Sequence, residues 1–413
     1  MEFKEVKLGE ISNINMGQSP KSEFYSEFGG TPFLQGNRTF QHIYPLIDTY
    51  TNKITKLANK NDILFSVRAP VGDMNIAPVD LCIGRGLCAI NSTNSNQEFL
   101  FYLLKSKLNE LESHSTGTIF SSVNKKTLEN FIVKVPSDSH QKNIGRLLSN
   151  LDKKIEINQN IIANLEELSQ TLFKRWFVDF EFPDENENPY KSSGGKMIDS
   201  ELGEMPELWS VKNINELLKI YSGYAFKSKW WSDDGYNVIK IKDINNNSID
   251  ITGLDKVNEI YVEKASNFKV YGGEILIALT GATAGKLGIV PKLKELAFVN
   301  QRVGLITSNI DNVYIYHLLK SDRIRRLTLD QAIGSAQANI SPVKFGSIKI
   351  LWADEKTIDR YCQLTRSNYE KIVELYSENN DLIQLRDTLL PKLMSGEIEI
   401  PDDIEVNEDE LSI

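Results

Sequence analysis

The apolar positions along the chain change their period several times, and each change marks a change of structure. Alternating or continuous apolar runs such as Asp62-Ile63-Leu64-Phe65-Ser66-Val67, Glu274-Ile275-Leu276-Ile277-Ala278-Leu279 and Phe131-Ile132-Val133-Lys134-Val135 are bounded by Gly, Pro, Asn and Asp and predict strands. Between them, Phe99 to Lys107 and Val313 to Leu327 predict amphipathic helices. From Leu148 the spacing becomes three and four in alternation, through Leu151, Ile155, Asn158, Ile162, Leu165, Ser169, Leu172 and Trp176. This is a heptad seam. A second seam runs through Thr365, Asn368, Ile372, Leu375, Asn379, Leu382, Arg386, Leu389 and Leu393. A helix of about 40 residues is about 60 Å long, far more than a small domain needs for its own packing.

The second seam belongs to a duplication. Ile14 through Met16-Gly17 correspond to Ile220 through Ser222-Gly223 at an offset of 206, Tyr102-Leu103-Leu104-Lys105-Ser106 to His317-Leu318-Leu319-Lys320-Ser321 at 215, and Thr171-Leu172 to Thr388-Leu389 at 217. Two similar units are therefore expected, each a strand-rich α/β segment followed by a long helix. The fold class is α+β, with the two long helices forming an antiparallel coiled coil and an internal pseudo-two-fold repeat. The expected boundaries are 1–138 for the first strand-rich unit, 139–178 for the first long helix, 179–208 for a linker, 209–353 for the second unit, 354–396 for the second helix and 397–413 for an acidic tail. Antiparallel pairing would set Asn158 opposite Asn379, Ile162 opposite Leu375 and Ile155 opposite Leu382. The alternative leaves both Asn side chains facing water at a frayed seam.

Charge refines this picture once it is divided by segment. The chain carries a net charge of -9, yet residues 397–413 hold eight acids without Lys or Arg, and residues 179–207 hold nine acids against Lys191 and Lys196. The rest is positive: residues 208–353 alone have nineteen basic and thirteen acidic side chains. A basic body with acidic appendages is compatible with a polyanionic partner. No apolar run approaches the roughly 18 residues of a membrane span, and the amino terminus lacks a secretory pattern, so a cytoplasmic protein without membrane contact is expected. Cys82, Cys88 and Cys362 form no C-x-x-C pair; Cys82 and Cys88 are expected as small strand residues in a core.

The search for catalytic chemistry finds little. Gly281-Ala282-Thr283-Ala284-Gly285-Lys286-Leu287 has its glycines one residue too close for a phosphate loop, and a strand, Gly288-Ile289-Val290, is expected after it. The four His residues have no metal-ligand spacing. What the halves share is a set of Gly-rich loops carrying Arg, Lys, Asn or Gln. In the first half these are Gly36-Asn37-Arg38, Ser66-Val67-Arg68-Ala69-Pro70, Gly84-Arg85-Gly86 and Ser115-Thr116-Gly117-Thr118. Their counterparts are Lys240-Ile241-Lys242-Asp243, Thr280 to Lys286 with Thr283 between, Asn300-Gln301-Arg302, and Gly334 to Asn339 with Ser335 and Gln337. Glycine permits close backbone approach, Arg and Lys reach guanine edges or phosphates, and Asn and Gln suit adenine. Ordinary turn chemistry is the alternative for any one loop.

Four segments, two of them at the ends of the long helices, carry a family resemblance. Thr171-Leu172-Phe173-Lys174-Arg175-Trp176-Phe177-Val178-Asp179-Phe180, with Lys191-Ser192-Ser193-Gly194-Gly195-Lys196-Met197 and Leu202-Gly203-Glu204-Met205-Pro206, resembles the central region of type I restriction-modification specificity subunits. Leu389-Leu390-Pro391-Lys392-Leu393-Met394-Ser395-Gly396-Glu397-Ile398 resembles their second such region, and Leu208 stands where the family often has Gly before Trp. The resemblance implies a noncatalytic subunit in which each recognition domain reads half of a split sequence in double-stranded DNA. It also implies docking of two modification (adenine methyltransferase) subunits and of restriction subunits, which bind S-adenosylmethionine, ATP and Mg; this chain would hold no cofactor. A stand-alone DNA-modifying enzyme fragment and a coiled-coil adaptor are the competing readings.

Overall fold

The structure, a computed structural model, describes residues 2–113, 122–245, 247–333 and 338–401. It divides into two compact units, Met1–Glu156 with Leu382–Ile413 and Ile157–Asp381. Each unit takes a strand-rich portion and one segment of each long helix, Asp138–Phe177 and Glu355–Ser395.

Both units are built on one topology. In the first, Lys4–Lys7 pairs with Ile132–Val135, and a four-stranded sheet places Leu87–Ser92 between Ser12–Met16 and Ile63–Ser66, with Met74–Ile76 at the edge. A second sheet pairs Thr31–Leu34 in parallel with Leu81–Ile83. In the second unit, Ser210–Asn213 pairs with Lys349–Trp352, and Val303–Ser308 lies between Leu218–Ser222 and Ile275–Ala278, with Leu287–Ile289 beyond. Tyr236–Ile239 pairs in parallel with Ala297–Val299. The second unit extends its larger sheet with Asn247–Ile249 and Ile244–Asn245. Cys82 and Cys88 are fully buried strand residues, as their apolar setting predicts.

The amphipathic segment at 99–107 forms as Gln97–Ser106, and six consecutive residues, Phe99 to Leu104, are buried. A helix buried on every side must be covered twice. Gly145 on the long helix provides the second cover, since a Cβ there would stand 2.6 Å from the Phe99 amide nitrogen. The expected single helix from 313 to 327 is instead two, Asn312–Lys320 and Asp322–Ile333. Ser321 leaves the helical region at φ -60 and ψ 141, its hydroxyl donates to the Leu318 carbonyl at 2.6 Å, and Asp322 opens the next helix, where a negative charge is favoured. Residues 179–208 do more than link: Phe182 stacks between Tyr190 and Trp209, with centroids 4.7 and 5.4 Å away, and Met197–Ser200 pairs with Gly203–Pro206 in a hairpin.

Within each unit the long-helix segments run antiparallel. In the second unit Asn158 donates to the Asn379 side-chain oxygen at 3.0 Å and to Glu378 at 2.9 Å, while Asn368 donates to Ser169 Oγ at 3.1 Å. Partner numbers fall as the first helix advances, which excludes a parallel pair. Asn158 is 0% and Asn379 7% exposed, so the frayed seam is excluded too. Ile162, Ile372 and Leu375 are buried in one cluster, with Leu165 packed against it. In the first unit Ile155 is fully buried, while Leu151 and Leu382 are half-buried.

The seam buries an ion pair: Arg386 is 6% exposed, and Asp152, beside Leu151, is 3% exposed. Tyr102 donates to it at 2.6 Å, Arg386 forms an ion pair with it, and His42 Nε2 lies 3.3 Å away. Burial alone would raise its pKa; His42, Arg386 and Tyr102 outweigh burial and hold it well below the carboxylate range. Arg386→Met should therefore cost about 3–5 kcal/mol by stranding the carboxylate, whereas the Asp152→Leu/Arg386→Met pair should recover most of that loss. Urea unfolding followed by circular dichroism decides it: a single variant losing under about 1 kcal/mol would show the pair to be dispensable.

The second unit buries His317 instead. Tyr361 gives its proton to the Ser169 carbonyl at 3.0 Å, so the His317 Nδ1–H, 2.8 Å away, donates to the tyrosine oxygen. Burial, reinforced by Lys320, lowers the imidazole pKa from 6.5 to about 3. Between those values the unfolded chain binds the extra proton, so stability falls as pH drops below 6.5, by about 1.4 kcal/mol per unit. All five tryptophans, at 176, 209, 230, 231 and 352, lie in this unit, so tryptophan fluorescence isolates its unfolding. Urea midpoints should fall between pH 7 and pH 5.5 in the wild type and fall less in His317→Gln; equal slopes would remove His317 as the cause.

Candidate nucleic-acid interface

In the first unit the loops at one end of the central strands are tied together through backbone atoms. Gly17 N donates to Leu87 O at 2.9 Å, Gln18 N to Ile83 O at 2.9 Å, Gly84 N to Leu34 O at 2.8 Å and Val67 N to Gly86 O at 2.9 Å. Val123 N donates to Val67 O at 3.1 Å, and Arg68 bridges Ser122. The second unit repeats each contact. Gly223 N donates to Val303 O at 2.9 Å, Tyr224 N to Val299 O at 2.8 Å, Asn300 N to Ile239 O at 3.0 Å, Leu279 N to Arg302 O at 3.0 Å and Ile340 N to Leu279 O at 2.8 Å, while Thr280 bridges Asn339.

Since the ties are made by main chain, the side chains are left to differ. The shared hydrogen bonds place Arg85 opposite Gln301, Gly86 opposite Arg302, and Arg68 opposite Thr280. This is the in-order alignment of Gly84-Arg85-Gly86 with Asn300-Gln301-Arg302. Arg68, Arg85, Lys286, Gln301, Arg302 and Asn339 are exposed, and Thr280 and Thr283 are half-buried. Among the described residues no carboxylate forms an ion pair with Arg68, Arg85, Lys286 or Arg302. A rigid loop that presents an unpaired guanidinium has little ordering cost left when it meets a base edge or phosphate.

The remaining candidates are held by neighbours. Asn37 donates to Asp73 at 2.6 Å, and Arg38 pairs with Asp48 at 2.7 Å. Lys242 and Lys240 share Asp255 at 2.9 and 3.0 Å, and Lys242 first, then Lys240, lowers that carboxyl's pKa. These partners orient the cations but must be exchanged or shared when an anion binds. Thr116, Thr118, Ser335 and Gln337 lie outside the described residues. Sequence reasoning missed Gln18, Ser19 and Tyr224, although the repeated glycine before them was visible. Ser19 Oγ accepts from the Arg85 amide at 3.2 Å, and Gln301 N donates to Tyr224 O at 3.1 Å. The Gly281–Thr283 turn is followed by the strand Leu287–Ile289, not by the helix a phosphate loop requires.

Two copies of one scaffold, each ending in backbone-tied loops with exposed side chains free to vary, define a protein of the sequence-recognition class. Residues 1–167 and 206–351 match the family described as Type I restriction modification DNA specificity domain. The chain belongs to this family, whose members are the noncatalytic DNA-recognition subunits of type I restriction-modification systems. The type I restriction enzyme MjaIX specificity subunit of Methanocaldococcus jannaschii is 26% identical over 435 residues, covering 97% of each chain. A putative MjaX specificity subunit from the same organism is 40% identical over 187 residues, 41% of this chain and 44% of that protein. The crystal structure of the type I restriction-modification S subunit from M. genitalium shares the fold at a TM-score of 0.61, with 18% identity, covering 95% of this chain and 96% of that one.

The tightest point of each loop set is a glycine. A Cβ at Gly17 would stand 2.2 Å from the Gly84 carbonyl oxygen, and one at Gly223 2.3 Å from that of Val299. Gly223→Ala should therefore lower stability by about 1–3 kcal/mol through overpacking against backbone that cannot move aside. A melting temperature equal to the wild type's would show that the loops can separate.

Proposed function

We propose that each unit reads one part of a split double-stranded DNA target, the first through Arg68 and Arg85 and the second through Lys286, Gln301 and Arg302. The observation that carries this is the repetition of one hydrogen-bonded loop scaffold with unlike side chains at equivalent places. A shared frame sets the approach to the duplex, and the unlike side chains make the two parts differ in sequence: Arg85 suits guanine where Gln301 suits adenine. The long antiparallel helices act as the spacer between the two parts and as the platform for two adenine methyltransferase subunits and for restriction subunits. Those partners supply S-adenosylmethionine, ATP and Mg, and this chain supplies the address. Among the described residues no helix is long and apolar enough to cross a membrane, in keeping with work on chromosomal DNA in the cytoplasm.

Arg85→Ala, coexpressed with its methyltransferase partner, should relax one base position in one part of the methylated motif and leave the other part intact, with a loss of about 1–3 kcal/mol on the cognate sequence. Methylation-sensitive genome sequencing reads both parts at once. Relaxation in both, or an unchanged motif, would overturn the division of labour.

A further inference from the structure

The second unit carries a surface that the first lacks. Trp230 stacks with Tyr224 and with Tyr261, with centroid distances of 6.3 and 4.8 Å and interplanar angles of 13° and 12°. The Lys227 ammonium lies 5.3 Å from the Trp230 centroid, and that of Lys240 3.5 Å from the Trp231 centroid. This ladder begins at Tyr224, whose carbonyl holds the Gln301 amide, so it extends outward from a base-reading loop. Residues 227–242 hold four lysines against Asp233 and Asp234. The matching stretch of the first unit, 21–37, holds Lys21 against Glu23 and Glu27, and Lys21 pairs with Glu23 at 3.8 Å. The lattice that aligns the loops puts Gln35 where the second unit has Lys240.

We propose that Lys227 and Lys229 form a sequence-independent phosphate clamp that extends the second unit's grip on the duplex beyond the bases it reads. Both side chains are exposed, and among the described residues neither forms an ion pair. Trp230 stacks with Tyr224 and with Tyr261 and has the Lys227 ammonium over its ring, so the aromatic ladder braces the lysine-bearing loop. Ammonium groups on a braced loop are point charges suited to phosphate oxygens, and each phosphate neutralised releases condensed counterions. The inference rests on the second unit's loops facing DNA.

The test measures binding of the full chain, in complex with its methyltransferase partner, to two duplexes between 50 and 200 mM salt. One duplex carries the sequence found methylated in the host, and the other has it scrambled. Lys227→Gln/Lys229→Gln should weaken both complexes, leave the ratio of their affinities unchanged, and reduce the slope of log K against log salt by about 2, nearly 1 per phosphate contact. Lys21→Gln should leave the slope as it is. An unchanged slope in the double variant overturns the clamp, as does a changed affinity ratio, which would make these lysines base readers. Base reading itself is scored separately, by whether the wild-type complex discriminates the two duplexes.

Discussion

Each recognition unit depends on the long helices to close its core. The short helices Gln97–Ser106 and Asn312–Lys320 bury the unbroken runs Phe99–Leu104 and Val313–Leu319, and a sheet can cover only one of their sides. In the first unit, Ile144 and Leu148 share a cluster with Phe99 to Leu104; in the second, Phe173, Tyr361 and Ile372 share one with Val313 to Leu319. In the first unit the position of closest approach is a glycine, Gly145, where a Cβ would stand 2.6 Å from the Phe99 amide nitrogen.

That dependence makes the register of the coil a matter of consequence, and polar residues set it. An apolar seam alone tolerates a slip of one heptad with modest loss, because Leu and Ile substitute for one another. Asn158 and Asn379 do not tolerate it, since a slip leaves two buried amides without partners. Asp152 and Arg386 are stricter still: separated, each is a buried charge. These groups need not add net stability to be retained, because they penalise every other alignment.

The same separation of frame from content governs recognition. The loops are held by main-chain hydrogen bonds and by glycines in contact with carbonyls, so substitutions at Arg85 or Gln301 leave the frame untouched. A scaffold of this kind changes what it reads without relearning how to fold. The phosphate-facing lysines proposed for the second unit follow the same logic, since they sit on a loop braced by its own aromatic ladder.

The duplication, the strand-rich halves, the two long helices and the antiparallel sense were legible in the sequence because periodicity and repeat offsets are local properties of the chain. So was the family, through motifs at the helix ends. The break at Ser321 was not, because the apolar pattern runs on through a residue whose backbone turns away. Nor was the partner of Arg386, itself a seam position in the sequence: Asp152 falls beside Leu151 and reads as a solvated position until Tyr102 and Arg386 are brought to it across the fold. The loops could be listed from glycines and cations, but the distinction between Arg38, paired with Asp48, and Arg85, paired with no carboxylate among the described residues, is a fact of distance. Sequence carries which residues are available and at what spacing; which of them are left unpaired, and where they point, is settled by neighbours tens of residues away.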